Sequence, residues 1–163
     1  MQKKPLVSIL IANYNNSPYI QHCINSLNSQ TYGNLEMIFF DDNSSDNSID
    51  IVKQFSNVKI IENKIQTKFG SLNQLNAFKE AIKISKGDLI FLLDSDDYFN
   101  KEKIEKVVNY FNNNKNAKIV FDYPLIVENN NIYSEKTKVR FFKTYWPYIH
   151  PTSCISVKKN CFE

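Results

Sequence analysis

Three apolar runs of strand length, at residues 6–12, 35–40 and 89–93, each break off into a polar or acidic cluster, with segments of helical spacing between them. A run apolar at nearly every position, rather than at alternate ones, is a strand covered on both faces. Such strands alternating with helices dictate an α/β chain with a mostly parallel central sheet flanked by helices. The first helix is expected from Ser17 and Pro18, with Ile20, Ile24 and Leu27 on one face, and the second near Ser45 or Asp46, ahead of Ile49 and Val52. A short strand follows at 58–61. The longest helix spans 71–85, with Leu72, Leu75, Phe78 and Ile82 at spacings of three and four, and stops at Gly87. A further helix at 101–112, a buried strand at 119–121 and a hairpin within 124–142 around Asn129, Asn130 and Asn131 complete the pattern.

No repeat, linker or charge block divides the 163 residues, so one domain is expected over 1–163, with a more irregular end after Asp122. No apolar run approaches the roughly 20 residues of a membrane helix. The net charge of +3, from 20 basic and 17 acidic residues, is too mild for a nucleic-acid partner. Cys23, Cys154 and Cys161 form no CxxC pair, which argues against a disulfide framework or structural zinc and for a reducing compartment. The apolar run after Lys3 and Lys4 ends at Asn13 without a cleavage signal, so it reads as a first strand, and the chain as cytoplasmic.

In open α/β sheets ligands collect beyond the carboxyl ends of the strands. Topology alone therefore gathers the clusters at 13–16, 41–45 and 94–97. The strongest is the run LLDSDDY, with Asp94, Asp96 and Asp97 directly after a buried strand. Two such charges about 4 Å apart repel by about 4 kcal/mol at an effective dielectric of 20. A divalent cation relieves that crowding, and Mg²⁺ or Mn²⁺ suits a site with few oxygen ligands, completed by water and substrate phosphate. The bland alternative is a solvated cluster, or a cap for a helix starting near Asn100. Asp42 is placed to accept from an imide N–H or a sugar hydroxyl, while Ser45 or Asp46 serves as turn and helix cap. Tyr14 offers either a stacking face for a nucleobase, worth about 1 to 3 kcal/mol, or a packed loop aromatic.

Residues 7–15 (VSILIANYN), 26–32 (SLNSQTY), 40–46 (FDDNSSD) and 87–90 (GDLI) leading into LLDSDD resemble the family 2 glycosyltransferases of the GT-A fold, in order and over the chain to about Asp122. The resemblance implies a Rossmann-like GT-A fold with residues 1–122 as the nucleotide-sugar-binding part and 123–163 as the start of an acceptor part, apparently truncated. It implies that Ala12, Tyr14, Asn15 and Asp42 form the nucleotide pocket, that Asp94 and Asp96 lie under the ribose and sugar, and that Asp97, with Asp96, ligates Mn²⁺ or Mg²⁺. Lys79 stands where relatives carry an Asn, and either supplies charge to the diphosphate or faces solvent. The implied activity is inverting transfer from a nucleotide-diphosphate sugar, a UDP-sugar above all, to a glycan or lipid-linked acceptor. The setting is surface polysaccharide synthesis, in the cytoplasm or at its membrane face.

No catalytic base is assigned: Asp122, Glu128 and Glu135 remain as carboxylates without a recognisable context. His150 either begins a segment that returns toward the metal or is a packed or exposed loop residue beside Pro151, and Tyr145, Trp146 and Tyr148 offer either a sugar-binding face or a core plug. Two other readings stay open, a donor-binding remnant without transfer and a receiver-type phosphoryl-transfer domain.

Overall fold

The computed structural model describes residues 4–64, 66–122, 124–128, 131–133 and 152–162. Strand β1 (Val7–Asn13) leads through helix α1 (Ser17–Asn28) to β2 (Leu35–Asp41), then α2 (Ser48–Val52), β3 (Val58–Glu62), α3 (Gly70–Ile84) and β4 (Leu89–Asp94). Helix α4 (Lys103–Asn113), β5 (Ile119–Phe121) and the short hairpin strands β6 (Ile126–Glu128) and β7 (Asn131–Tyr133) follow. The 3₁₀ turn Thr152–Cys154, β8 (Ile155–Lys158) and the 3₁₀ turn Lys159–Cys161 close the described chain. The main sheet has the order β3-β2-β1-β4-β8-β5, and β6 pairs with β7 in a separate two-stranded sheet.

Pairings β1–β2, β1–β4 and β2–β3 are parallel, whereas β8 runs antiparallel to both β4 and β5. The register sets Asn13 beside Asp41 and Ala12 beside Asp94, so the polar clusters that end β1, β2 and β4 stand level on one edge. The chain turns outward from β1 to β2 and β3, then crosses back to β4 on the other side of β1. That reversal opens a crevice at the strand ends.

Alternate side chains of each strand face opposite layers. Val7, Ile9, Ile11, Phe39 and Phe91 pack with Ile20, Ile24, Val52, Ile104 and Val108 from α1, α2 and α4. Leu10, Ile38 and Ile90 meet Phe78 and Ala81 of α3 on the other face. The helix predicted at 71–85 is present, but its buried residues are Ala77, Phe78 and Ala81, while Leu72 and Leu75 point outward. Small residues one turn apart let the helix lie close to the sheet, and this governs its orientation over the larger apolar stripe. The helix ends at Ser85, the expected last residue, whose N–H reaches Ala81 O and Ile82 O two residues before Gly87. Gly87 is needed for close approach: a Cβ there would sit 2.5 Å from Ser8 N, and the Gly87 N–H donates to Ser8 Oγ at 2.8 Å.

Helix α2 starts later than expected, at Ser48. Asp46 is the anchor, accepting the Ser48 N–H at 3.0 Å and the Ser17 N–H at 2.9 Å, which ties the starts of α1 and α2 together. Strand β5 is expected to be buried, yet Ile119 and Phe121 are exposed, because among the described residues β5 is an edge strand paired on one side, with β8. The expected hairpin is represented by β6 and β7. Glu135, Tyr145, Trp146, Tyr148 and His150 lie outside the described residues, and Glu128 is placed only as the end of β6.

Candidate functional site

A cavity of about 510 Å³ opens at the carboxyl edge of the sheet, where the crevice was expected. Its β1 wall is Ala12, Asn13, Tyr14 and Asn16; Asp42 comes from the end of β2, and Asp94 and Asp96 from the end of β4. The remaining wall, Gln66 to Lys68 with Gly70, Asn73, Gln74 and Ala77, is the approach to α3 and its first two turns.

The β1 and β2 ends are locked by a buried cluster. Asn13 Nδ2 donates to Asp41 Oδ1 at 2.7 Å, and Ser44 gives its hydroxyl to Asp41 Oδ1 at 2.7 Å and its N–H to Asp41 Oδ2 at 2.9 Å. Asp41 is thereby consumed in holding the two strand ends together. Asn15 takes a left-handed φ of 52°, which Asn tolerates, and its Oδ1 accepts the Ser45 N–H at 2.8 Å. Its carboxamide clamps two loops and does not line the cavity, unlike the role expected for it. Tyr14, in contrast, leaves half its surface open at the cavity rim.

Asp42 is buried, and its Oδ1 accepts from Asn63 Nδ2 at 2.7 Å and its Oδ2 from Gln66 Nε2 at 3.1 Å. Gln66 also donates to the Asp42 backbone carbonyl. A carboxylate has about four acceptor positions, so two amide donors leave room for a ligand N–H or O–H. The same two bonds carry the β3–α3 connection to the cavity. Asn73 then holds Thr67, accepting its N–H at 2.9 Å and its hydroxyl at 2.6 Å, which fixes the turn bearing Lys68. Sequence reasoning missed this wall. The available signal was a run of amides, Asn63, Gln66, Asn73, Gln74 and Asn76, with no acid between Glu62 and Glu80. Lys79, offered either to the diphosphate or to solvent, does not line the cavity. It follows Ala77 by two residues, about 200° around the helix, and is exposed.

The three carboxylates after β4 have different settings. Asp94 Oδ1 accepts from Gln74 Nε2 at 2.6 Å, and its N–H donates to Ser153 Oγ at 3.0 Å. Burial pushes the Asp94 carboxyl up to about 6; Gln74 and Thr152 pull against that through hydrogen bonds, while the Asp97 and Asp96 charges push with it. Asp96 is exposed and faces the cavity. Asp97 is outside the cavity lining, and its Oδ2 accepts from Ser153 Oγ at 2.6 Å. Ser153 thus bridges two members of the cluster from the turn before β8. Below it, Lys103 Nζ donates to Ser153 O at 2.6 Å and pairs with Asp122 at 3.0 Å, which commits Asp122 to a structural ion pair.

Among the described residues, no lysine or arginine nitrogen lies within 4.0 Å of the Asp94, Asp96 or Asp97 carboxylates, and no three His, Cys, Asp or Glu groups converge on one ion-sized point. An uncompensated pair of hard oxygen donors at a cavity wall fits Mg²⁺ or Mn²⁺, which take one or two carboxylates and fill the shell with water and phosphate. It does not fit zinc, which favours a closed set of nitrogen and sulfur ligands.

The chain is 37% identical over 131 residues to the UDP-Glc:alpha-D-GlcNAc-diphosphoundecaprenol beta-1,3-glucosyltransferase WfaP of Escherichia coli, covering 80% of this chain and 47% of that protein. It is 35% identical over 115 residues to the poly(ribitol-phosphate) beta-glucosyltransferase of Bacillus spizizenii, covering 67% of this chain and 18% of that one. The fold is shared with S. aureus TarS 1-349 in complex with UDP-GlcNAc, at a TM-score of 0.64 and 23% identity over 77% of this chain and 36% of TarS 1-349. It is shared equally with the mannosyltransferase PcManGT of Pyrobaculum calidifontis in complex with GDP-Man and Mn²⁺, at a TM-score of 0.65 and 16% identity over 78% of this chain and 37% of that one. The chain spans less than half the length of each of these proteins. The glycosyl transferase family 2 model matches residues 8–160, nearly the whole sequence, and this replaces the receiver-type reading: the chain belongs to glycosyl transferase family 2, with the GT-A architecture.

Proposed function

We propose that the cavity binds a nucleotide-diphosphate sugar, a UDP-sugar first, with one divalent cation. The protein of which this chain forms the donor-binding part then transfers the sugar, with inversion, to a glycan or lipid-linked hydroxyl in surface polysaccharide synthesis. The observation that carries this reading is that Tyr14, Asp42, Lys68, Asp94 and Asp96, drawn from separate segments, border one cavity at the strand ends. Tyr14 stacks on the base, and Asp42 accepts the base N–H with the acceptor positions that Asn63 and Gln66 leave free. Ala12, small and level with Asp94, leaves room for the ribose. Asp94 accepts hydroxyls of the ribose or sugar. Lys68 replaces Lys79 as the cation aimed at the diphosphate. Asp96, with the remaining oxygen of Asp97, would hold Mn²⁺ or Mg²⁺, which when bound neutralises the charge that develops on the departing diphosphate. The choice of a UDP-sugar follows the glucosyl donor in the name of WfaP and the UDP-GlcNAc held by TarS. Inverting transfer also requires a carboxylate that takes the acceptor proton. Asp122, committed to Lys103, is not that base.

At ten times its dissociation constant, a UDP-sugar with Mn²⁺ is expected to stabilise the chain by about 1.4 kcal/mol. That raises the melting temperature by about 3 to 6 °C at this size. Absence of a shift with UDP-, GDP- and dTDP-sugars, each with Mn²⁺, overturns the donor reading. Because the chain spans 47% of WfaP, a second reading is a module that holds donor without transferring it. Turnover against an acceptor panel separates the two.

A further inference from the structure

Helix α3 has two working sides. Gly70, Asn73, Gln74 and Ala77 line the cavity, and Phe78 and Ala81 pack on the sheet. At about 100° per residue, Leu72, Leu75 and Lys79 fall on the opposite side. There Leu72 is 41% and Leu75 63% exposed, and Phe69, just before the helix, is 68% exposed. Lys79 is exposed on this side of the helix and Lys64 in the connection before it, and no acidic residue occurs between Glu62 and Glu80. Elsewhere lysines find carboxylates, as in Lys53–Glu62, Lys59–Glu36, Lys83–Glu80, Lys103–Asp122 and Lys106–Glu102. Lys64 and Lys79 enter no ion pair among the described residues.

An exposed apolar stripe alone would suit many partners. Accompanied by Lys64 and Lys79, with no carboxylate in the sequence between Glu62 and Glu80, it suits a surface that is negatively charged and has an apolar interior. We propose that this face of α3 docks on a bilayer containing anionic phospholipid. The helix lies in the interfacial plane, with Phe69, Leu72 and Leu75 at the boundary of headgroups and acyl chains and the lysines reaching the lipid phosphates. Because the other side of α3 walls the cavity, docking holds the cavity about one helix diameter, roughly 10 Å, from the membrane surface. The inference stands on exposure and charge and does not rest on the donor reading. A second basic region, around Lys86, Lys115, Lys158 and Lys159 at the opposite edge of the sheet, is the competing surface. It fits less well, since Lys158 Nζ already donates to Lys115 O at 2.6 Å and Lys159 Nζ to Ser85 O.

Flotation of the chain with vesicles of phosphatidylcholine, alone or with about 30 mol% phosphatidylglycerol, tests the proposal. The expected result is binding to the anionic vesicles only, weakened by salt. Lys64→Gln with Lys79→Gln should lower the partition coefficient on the order of 30-fold. Leu72→Ser with Leu75→Ser should lower it more than about tenfold, with an unchanged melting temperature. The lysine pair decides the matter should the serine pair fail to fold. Absence of binding overturns the proposal. So does binding that survives both double variants but is lost in Lys115→Gln with Lys158→Gln, which places the membrane at the other edge. A concentration-dependent dimer dissolved by Leu72→Ser with Leu75→Ser also overturns it, since a second copy then covers the face.

Discussion

With Mn²⁺ present, Asp96→Ala is expected to weaken UDP-sugar binding on the order of 100-fold, about 2.7 kcal/mol, while the ligand-free chain melts no lower than the parent. Asp96 is exposed, and no hydrogen bond ties it into the fold among the described residues, so its removal takes a ligand from the cavity and a repulsive charge from Asp94. Asp97→Ala should behave in the opposite way. Its Oδ2 is the acceptor for Ser153 Oγ, which in turn receives the Asp94 N–H, so alanine leaves that hydroxyl without its charged acceptor. The expected cost is about 1 to 2 kcal/mol of stability, with donor affinity reduced less than about tenfold. Calorimetric titration with and without Mn²⁺, alongside thermal melts, reads both effects. If Asp97→Ala abolishes the metal response and Asp96→Ala leaves it intact, the two roles are exchanged.

The different settings of Asp94, Asp96 and Asp97 were not legible in the run LLDSDDY. What could be read was its position after a buried strand, since β4 is apolar almost throughout and both neighbours pair with it. The same property made β1 and β2 readable. The face of α3 was not: Leu72, Leu75, Phe78 and Ile82 make a good stripe, but contact with the sheet favours the small Ala77 and Ala81, a choice set by interlayer distance. The α3 wall of the cavity stayed hidden because Gln66 and Gln74 acquire meaning only through Asp42 and Asp94, carboxylates some twenty residues away. Ser153 is 59 residues from Asp94, and an inserted antiparallel strand such as β8 leaves no local trace of which strand it will join. Asp41 and Asp42 illustrate the same limit. Adjacent and chemically identical, one is used up by Asn13 and Ser44, while the other faces the cavity.

Asp94→Asn is expected to make the metal-free chain more stable, and the gain should depend on pH. The Asp94 carboxyl is raised to about 6 in the folded chain, through burial first and then the Asp97 and Asp96 charges, against the pull of Gln74 and Thr152. An unfolded Asp titrates near 3.9. Below about pH 4 the acid is protonated in both states, and its native contribution is intact. Between about 4 and 6 the folded state binds more protons, so stability attributable to this group falls as pH rises, and above about 6 the penalty is complete. At about 1.36 kcal/mol per pKa unit, less what solvent screens at this partly accessible side chain, the burden is about 2 kcal/mol. Asparagine carries no such charge and keeps an acceptor for Gln74. Denaturation in EDTA from about pH 4 to 8 should therefore show variant and parent converging at the acid end and about 2 kcal/mol apart at neutrality. Adding Mn²⁺ with UDP-sugar should close the gap from the parent's side only, because a nearby cation favours the ionised carboxylate. A difference that stays constant across the range would mean that Asp94 bears no such burden.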